Sequence, residues 1–223
     1  MLLRSLVERE KLDPRGGHRE ARDLWKPYRE HLLRLLDARV LDGSRTLKIV
    51  IDASNGMAGT MVPKVFDGVK GLRIERINFD NSTGEFVHEP NPLVESNLAQ
   101  VREGVVRAKA DFGVCFDGDA DRCIVTDEKG EVVACDHLTA FLTSYFLKQA
   151  PGSTIIYDLR SSKAVEETIL ANGGKPKQSR VGHVFMKQLL RETDGVFGGE
   201  LSGHFYFRDN FYADSGAILF AVV

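Results

Sequence analysis

Residues 112–126 read F-G-V-C-F-D-G-D-A-D-R-C-I-V-T, and the architecture of the chain unfolds from this stretch. The runs Asp111 to Phe116 and Cys123 to Thr126 are short, apolar and rich in strand-forming residues, so each reads as a β-strand. Between them Asp117, Asp119 and Asp121 stand at every second position, with Arg122 next. Alternate side chains of an extended chain face the same way, which sends the three carboxylates towards one point. Carboxylates held that close repel unless a cation lies among them. An all-oxygen donor set suits a hard ion, Mg2+ ahead of Ca2+, and the small Gly118 and Ala120 let the loop curl around it. Arg122 adds a fixed planar cation beside that ion, an arrangement that suits a phosphate dianion. A solvated acidic turn is the plainest alternative. An EF-hand loop is another, since Asp117, Asp119, Asp121 and Glu128 stand at its first, third, fifth and twelfth positions, but its sixth position requires a turn-making glycine and here holds Arg122.

A strand that delivers such a loop at its C-terminal end belongs to an open α/β sheet, where ligands bind at that edge. The flanking sequence agrees. Leu47 to Ile51 is a continuous apolar strand, followed by a small-residue turn from Asp52 that opens a helix. Leu72 to Phe79 alternates as a second strand, and the Gly-, Pro- and Asn-rich loop Ser82 to Pro92 leads into a helix with Val94, Leu98, Val101 and Val105 on one stripe. Asp136 to Lys148 reads as a helix, and Pro151-Gly152 marks a domain boundary. Strand Thr154 to Tyr157, helix Ser162 to Ala171, a strand near Lys177, helix His183 to Arg191 and strand Gly195 to Phe197 follow. Ahead of all this, residues 1–43 form a helical approach segment whose helix, Glu20 to Asp37, carries Leu24, Tyr28, Leu32, Leu35 and Leu36 on one stripe and is weakened at Pro27. The expected fold class is α/β, with two consecutive three-layer α/β units (residues 44–150 and 151–223) built on largely parallel mixed sheets and preceded by the N-terminal helical segment. The final A-I-L-F-A-V-V lies in a helix with no cap, as at a cut end.

The chain of 223 residues, 43% hydrophobic and 28% charged, has an ordinary globular composition. Its formal net charge of −2 leaves no electrostatic footprint for nucleic acid or an anionic membrane. Cys115, Cys123 and Cys135 form no C-x-x-C pair and lie among apolar residues, which reads as reduced, buried thiols. With no apolar run of signal-peptide or membrane-spanning character, the expected location is the cytoplasm.

A second constellation, Gly198-Gly-Glu200-Leu-Ser202-Gly-His204, sets a carboxylate, a hydroxyl and an imidazole on a glycine-pinned loop. That combination suits a sugar, whose adjacent hydroxyls need acceptors and donors held near the backbone; a polar turn is the alternative. Arg180 and His183 stand at the mouth of a helix, a place that favours anions. Arg160, just past a strand, is a further phosphate ligand or the partner of a neighbouring carboxylate.

With these residues in view, the chain resembles the α-D-phosphohexomutases, which include bacterial phosphomannomutase and phosphoglucomutase. The resemblance rests on D-G-D-A-D-R at Asp117 to Arg122 and G-E-L-S-G-H at Gly199 to His204, in that order. It is supported by I-D-A-S-N-G at Ile51 to Gly56, G-E-F-V-H-E-P-N-P at Gly84 to Pro92 and V-G-H at Val181 to His183, and covers nearly everything from residue 45 onward. It implies a four-domain enzyme that moves a phosphoryl group between C1 and C6 of a hexose phosphate, mannose or glucose, through a phosphoserine and a hexose 1,6-bisphosphate. On that resemblance Asp117, Asp119 and Asp121 hold Mg2+, Arg122 contacts the transferring phosphoryl group, and His183 is a proton-transfer residue. Glu200 and Ser202 then grip sugar hydroxyls beside His204, with Arg160 and Arg180 near the substrate. The departures are that no T-A-S-H-N-P-like loop carrying the nucleophilic serine is present, nor the C-terminal domain that clamps the distal phosphate. Ser54 sits in a loop that matches the second domain. The chain therefore resembles the middle domains, the third incomplete, with the N- and C-terminal domains of the same protein as its missing partners and no turnover expected from the chain alone. The alternative is a non-catalytic module that binds Mg2+ and a sugar phosphate. A haloacid-dehalogenase-type phosphatase would need Thr or Val where Asp121 stands.

Overall fold

The computed structural model describes residues 17–223, so the first part of the expected approach segment lies outside the described residues. Helix α1 spans Trp25–Leu33, short helix α2 spans Ala38–Asp42, and strand β1 spans Leu47–Asp52. Helix α3 (Ala58–Phe66), strand β2 (Leu72–Ile77), a 3-10 turn (Glu95–Leu98), helix α4 (Ala99–Ala108) and strands β3 (Phe112–Phe116) and β4 (Cys123–Thr126) complete the first sheet and its cover. Its order is β2-β1-β3-β4, with β1 parallel to both neighbours and β4 antiparallel to β3. Helix α4 settles on one face because Gly113 has no side chain: a Cβ there would stand 2.5 Å from Cγ2 of Val105.

Helix α5 (Cys135–Gln149), β5 (Thr154–Asp158), α6 (Lys163–Ala171), β6 (Lys175–Ser179), α7 (His183–Thr193), β7 (Phe197–Gly199), β8 (Phe205–Phe207), β9 (Ala213–Asp214) and α8 (Gly216–Val222) follow. The second sheet runs β6-β5-β7-β8-β9, the first three strands parallel and the last two antiparallel. Met186 and Leu190 of α7 pack with Ile156 and Tyr206 on one face. On the other, Phe146 of α5 stacks on Phe197 with ring centroids 4.6 Å apart. This is the expected α/β class with two mixed sheets. The two sheets share one topology: the third parallel strand turns back through a hairpin, at residues 117–122 in the first sheet and 200–204 in the second.

Several expectations need correction. Helix α1 begins at Trp25, leaving Leu24 65% exposed, and Pro27 sits in the first turn, where its missing N–H has no intrahelical partner to lose, so nothing kinks. The helix ends at Leu33, and the Asp37 side chain starts α2 by accepting from the Arg39 amide. Val94 precedes the 3-10 turn and is 39% exposed, so the apolar stripe of α4 starts only at Leu98. Strand β7 starts at Phe197 because the Gly195 amide is engaged by the Leu190 carbonyl at the end of α7. The EF-hand reading fails because Asp121 and Glu128 lie on either side of a full strand, β4. The seam also moves. Helix α5, assigned to the first unit on sequence, packs on α6 and β7, so the second unit begins near residue 134. Helix α8 returns to the first unit, where Phe220 meets Phe66 edge-on at 4.8 Å and also abuts Phe112 and Phe116. One continuous apolar core therefore runs through both units.

Candidate active site

The turn after β1 and the hairpin after β3 come together first. Ser54 donates its Oγ to the Phe116 carbonyl at 2.6 Å, and the Met57 amide donates to the Gly118 carbonyl at 2.9 Å. Ser54 is 1% exposed, so its hydroxyl braces the loop and is closed to a substrate.

Within the hairpin, Asp117, Asp119 and Asp121 each place a carboxylate oxygen within 4.8 Å of the others, as their alternation suggested. Asp119 is exposed, Asp121 half-buried and Asp117 only 2% exposed. Asp117 accepts from the Arg122 Nε at 2.6 Å and from the Arg122 amide at 3.2 Å. Burial pushes its carboxyl up to about 6 against the pull of Arg122, and the charge of Asp121 adds to the rise. A buried carboxylate with only one cationic partner, facing two more, fits a hard divalent ion bound through oxygen.

The hairpin after β7 meets this loop. Arg122 and His204 pair as an isolated antiparallel bridge, and His204 Nε2 lies 3.5 Å from Asp121 Oδ1. Burial works against a charged imidazole, yet Asp121, Asp214 and Glu200 outweigh it and hold His204 above its ordinary value. His204 in turn is the main reason that Asp121 is held below the usual carboxylate range. Glu200, 2% exposed, accepts from the Gly182 amide at 2.7 Å, from the Tyr206 hydroxyl at 2.9 Å and from Ser202 Oγ at 3.2 Å. Ser202 Oγ also lies 3.0 Å from His204 Nδ1.

Of the other expected residues, His183 is exposed as the first residue of α7, directly after the Gly182 that Glu200 holds. Arg180 is exposed and stacks over the Phe185 ring at 4.2 Å. Arg160 pairs with the fully buried Asp158 at 2.6 Å and keeps 40% of its side chain exposed. Asp158 also accepts from the Leu201 amide, which fixes the second hairpin to the end of β5.

Sequence reasoning missed Asp158, Lys187, Tyr206 and Asp214. Lys187 Nζ stands 2.7 Å from Asp214 Oδ1, and Asp214 Oδ2 stands 4.0 Å from His204 Nε2. Lys187 follows His183 by one helical turn, a spacing that marks both for the same face. Asp214 had no such signal, because the two-residue strand β9 that carries it has no periodicity to read. Asp214 forms a second acidic group with Asp121 and His204, and there Lys187 already supplies the positive charge.

Residues 26–130 match the phosphoglucomutase/phosphomannomutase alpha/beta/alpha domain II, and residues 134–223 match alpha/beta/alpha domain III of the same family. The junction of the two matches falls where α5 begins. A phosphomannomutase of Salmonella montevideo is 37% identical over 213 residues, covering 94% of this chain and 46% of that protein. The phosphomannomutase of Escherichia coli K12 is 36% identical over 215 residues, with 95% and 46% covered. A crystal structure of a phosphoglucomutase/phosphomannomutase family protein from Burkholderia thailandensis superposes with a TM-score of 0.87 at 29% identity, over 99% of this chain and 47% of that one. The chain thus spans about half the length of these relatives. With two consecutive domain matches covering nearly all of it and the two hairpins meeting at one site, the chain belongs to the phosphoglucomutase/phosphomannomutase family, of which it comprises domains II and III.

Proposed function

We propose that this chain is the cation-binding and sugar-reading half of a phosphohexomutase active site, working on mannose or glucose phosphates and their 1,6-bisphosphate. The observation that carries this reading is the meeting of the two equivalent hairpins, with three carboxylates within 4.8 Å of one another and His204 only 3.5 Å from one of them. Asp117, Asp119 and Asp121 would hold Mg2+, which when bound neutralises charge on a phosphoryl group and helps to position it. Arg122 commits its Nε to Asp117 and keeps the rest of its guanidinium for a phosphoryl oxygen. Glu200 spends its acceptors chiefly on Gly182, Tyr206 and Ser202, so it organises the sugar side while Ser202 and His204 present their polar atoms to hydroxyls. His183 holds or delivers a proton at the N-terminal end of α7, and Arg160 and Arg180 supply positive charge near the substrate. Phosphoryl transfer itself needs a nucleophile, and the buried Ser54 does not serve, so the chain alone is read as inactive, the rest of the site coming from the remaining domains of the same protein. The three cysteines are buried and unpaired, which supports a reducing, cytoplasmic setting; no described helix is long and apolar enough to cross a membrane.

Isothermal titration of the purified chain with Mg2+ and with glucose 1,6-bisphosphate tests the reading. Asp119→Asn is expected to weaken Mg2+ binding at least tenfold, and Glu200→Ala to weaken bisphosphate binding with Mg2+ affinity intact. Unchanged Mg2+ affinity in Asp119→Asn refutes the three-carboxylate assignment. Bisphosphate binding with no mutase turnover from the whole gene product that contains these residues supports the binding-module alternative instead.

A further inference from the structure

Two stretches, I-D-A-S-N-G at 51–56 and G-E-F-V-H-E-P-N-P at 84–92, are left without a role by the proposed function, yet they converge against the cation loop. Asp52, at the end of β1, is fully buried. Its Oδ1 accepts from the Ser54 amide at 2.8 Å and from Asn78 Nδ2 at 3.0 Å. Its Oδ2 lies 3.2 Å from His88 Nε2, while His88 Nδ1 lies 2.8 Å from the Glu89 carbonyl, so both ring nitrogens face acceptor oxygens. Asn55 Oδ1 accepts from the Val87 amide at 3.0 Å, which ties the same strap down a second time. Ser54 and Asn55 are thereby held at φ of +48° and +51°, a left-handed conformation that residues other than glycine adopt only when their surroundings impose it. In that conformation the Ser54 hydroxyl reaches the carbonyl of Phe116, the residue directly before Asp117. Gly56 approaches so closely that a Cβ would stand 2.5 Å from the Gly118 carbonyl oxygen.

We propose that the Asp52–Gly56 turn is the outer shell of the cation loop, with Ser54 as its positioning residue and His88 as the clasp that holds Asp52 in place. This rests on the reading of Asp117, Asp119 and Asp121 as cation ligands. The loop has little internal support, since Ala120 is itself left-handed at φ +65° and only Arg122 holds Asp117. Besides the His204 bridge and the close approach of Gly216 on its far side, the loop is held from the first unit by the Ser54 hydroxyl and by the Met57 amide directly after the turn. Groups that orient metal ligands without touching the ion commonly shift affinity by about 10- to 100-fold.

The test uses the described chain and Mn2+ as a probe, with free Mn2+ counted by electron paramagnetic resonance. Ser54→Ala and His88→Ala are expected to bind Mn2+ about tenfold more weakly than the parent. His88→Gln keeps an amide donor towards Asp52 and is expected to recover most of that loss. Val101→Ala, which opens a cavity under α4 against Gly113 and removes no hydrogen bond of the turn, is expected to lower the melting temperature and serves as the reference for a purely structural effect; its Mn2+ affinity is expected to match the parent. Equal weakening in Val101→Ala and Ser54→Ala, or parental affinity in Ser54→Ala and His88→Ala while Asp119→Asn loses binding, overturns the positioning role and leaves the cation site standing. Parental affinity in Asp119→Asn as well removes both.

Discussion

Asp117→Asn is expected to make the metal-free protein more stable at neutral pH even as it removes a proposed cation ligand. The Asp117 carboxyl rises from the ordinary 3.8 to about 6, chiefly through burial. In the unfolded chain it ionises near 3.8, so between that value and about 6 the folded state holds a proton that the unfolded state has lost. Stability therefore falls as pH rises through this window, and above it the full penalty applies. At about 1.4 kcal/mol for each tenfold change in the proton equilibrium, the penalty is roughly 3 kcal/mol. Asparagine keeps an oxygen for only one of the two Arg122 N–H donors and loses the charge that faces them, so the net gain is set at about 1 kcal/mol. Urea unfolding of the parent and the variant in EDTA, at pH 7.5 and again near pH 4.5, reads this directly. The variant should be more stable at the higher pH and nearly equal at the lower, where the parent carboxyl is protonated. Saturating Mg2+ should then stabilise the parent alone, by about 2.7 kcal/mol at a hundredfold excess over Kd. A variant that is less stable by the same margin at both pH values refutes the reasoning, because Asp117 would then be a net stabilising partner of Arg122.

Two further outcomes follow from the second hairpin. Tyr206→Phe removes the hydroxyl that donates to the buried Glu200 and should cost about 1–3 kcal/mol in chemical denaturation, with Mg2+ affinity unchanged. An NMR titration should place the His204 imidazole above its ordinary 6.5, and Asp121→Asn should lower it. The stability that charged His204 contributes is complete below 6.5 and fades as pH rises through the elevated folded value. A His204 value that Asp121→Asn leaves in place would remove the link between the two hairpins.

The parts of the fold legible in the sequence were those with strong local periodicity. Leu47 to Ile51 is apolar apart from Lys48, Cys123 to Thr126 is apolar up to its final threonine, and the structure forms strands over both. The aspartate loop was legible as a cluster of carboxylates, but its residues are not extended: they form a hairpin with Ala120 left-handed, and it is this turn that brings the three carboxylates together. What escaped depended on distant partners. Phe205-Tyr-Phe207 is too short to separate from a buried loop until Phe197 to Gly199 lies beside it. The Pro151-Gly152 turn looked like a domain boundary, but α5 before it is held by contacts with α6 and β7 that come later in the chain. Arg160 was readable only as either a phosphate ligand or a partner of a carboxylate, and the ion pair to Asp158 depends on a strand end that fixes both. The charges around His204 come from Asp121, Asp214 and Lys187, each from a different element, and no spacing rule connects them.

The return of α8 to the first unit has a consequence for the span between the two hairpins. Phe220 is packed among Phe66, Phe112 and Phe116, and Gly216 backs the cation loop so tightly that a Cβ would stand 2.8 Å from the Ala120 carbonyl oxygen. The end of the second unit is thus the rear wall of the loop in the first. Opening the two halves like jaws would pull a helix out of the core, a motion that the packing of Phe220 opposes. The span from the carboxylates of one hairpin to Ser202 and His204 of the other behaves as a fixed ruler. On the proposed function, the phosphate-to-hydroxyl distance of a ligand has to fit that span.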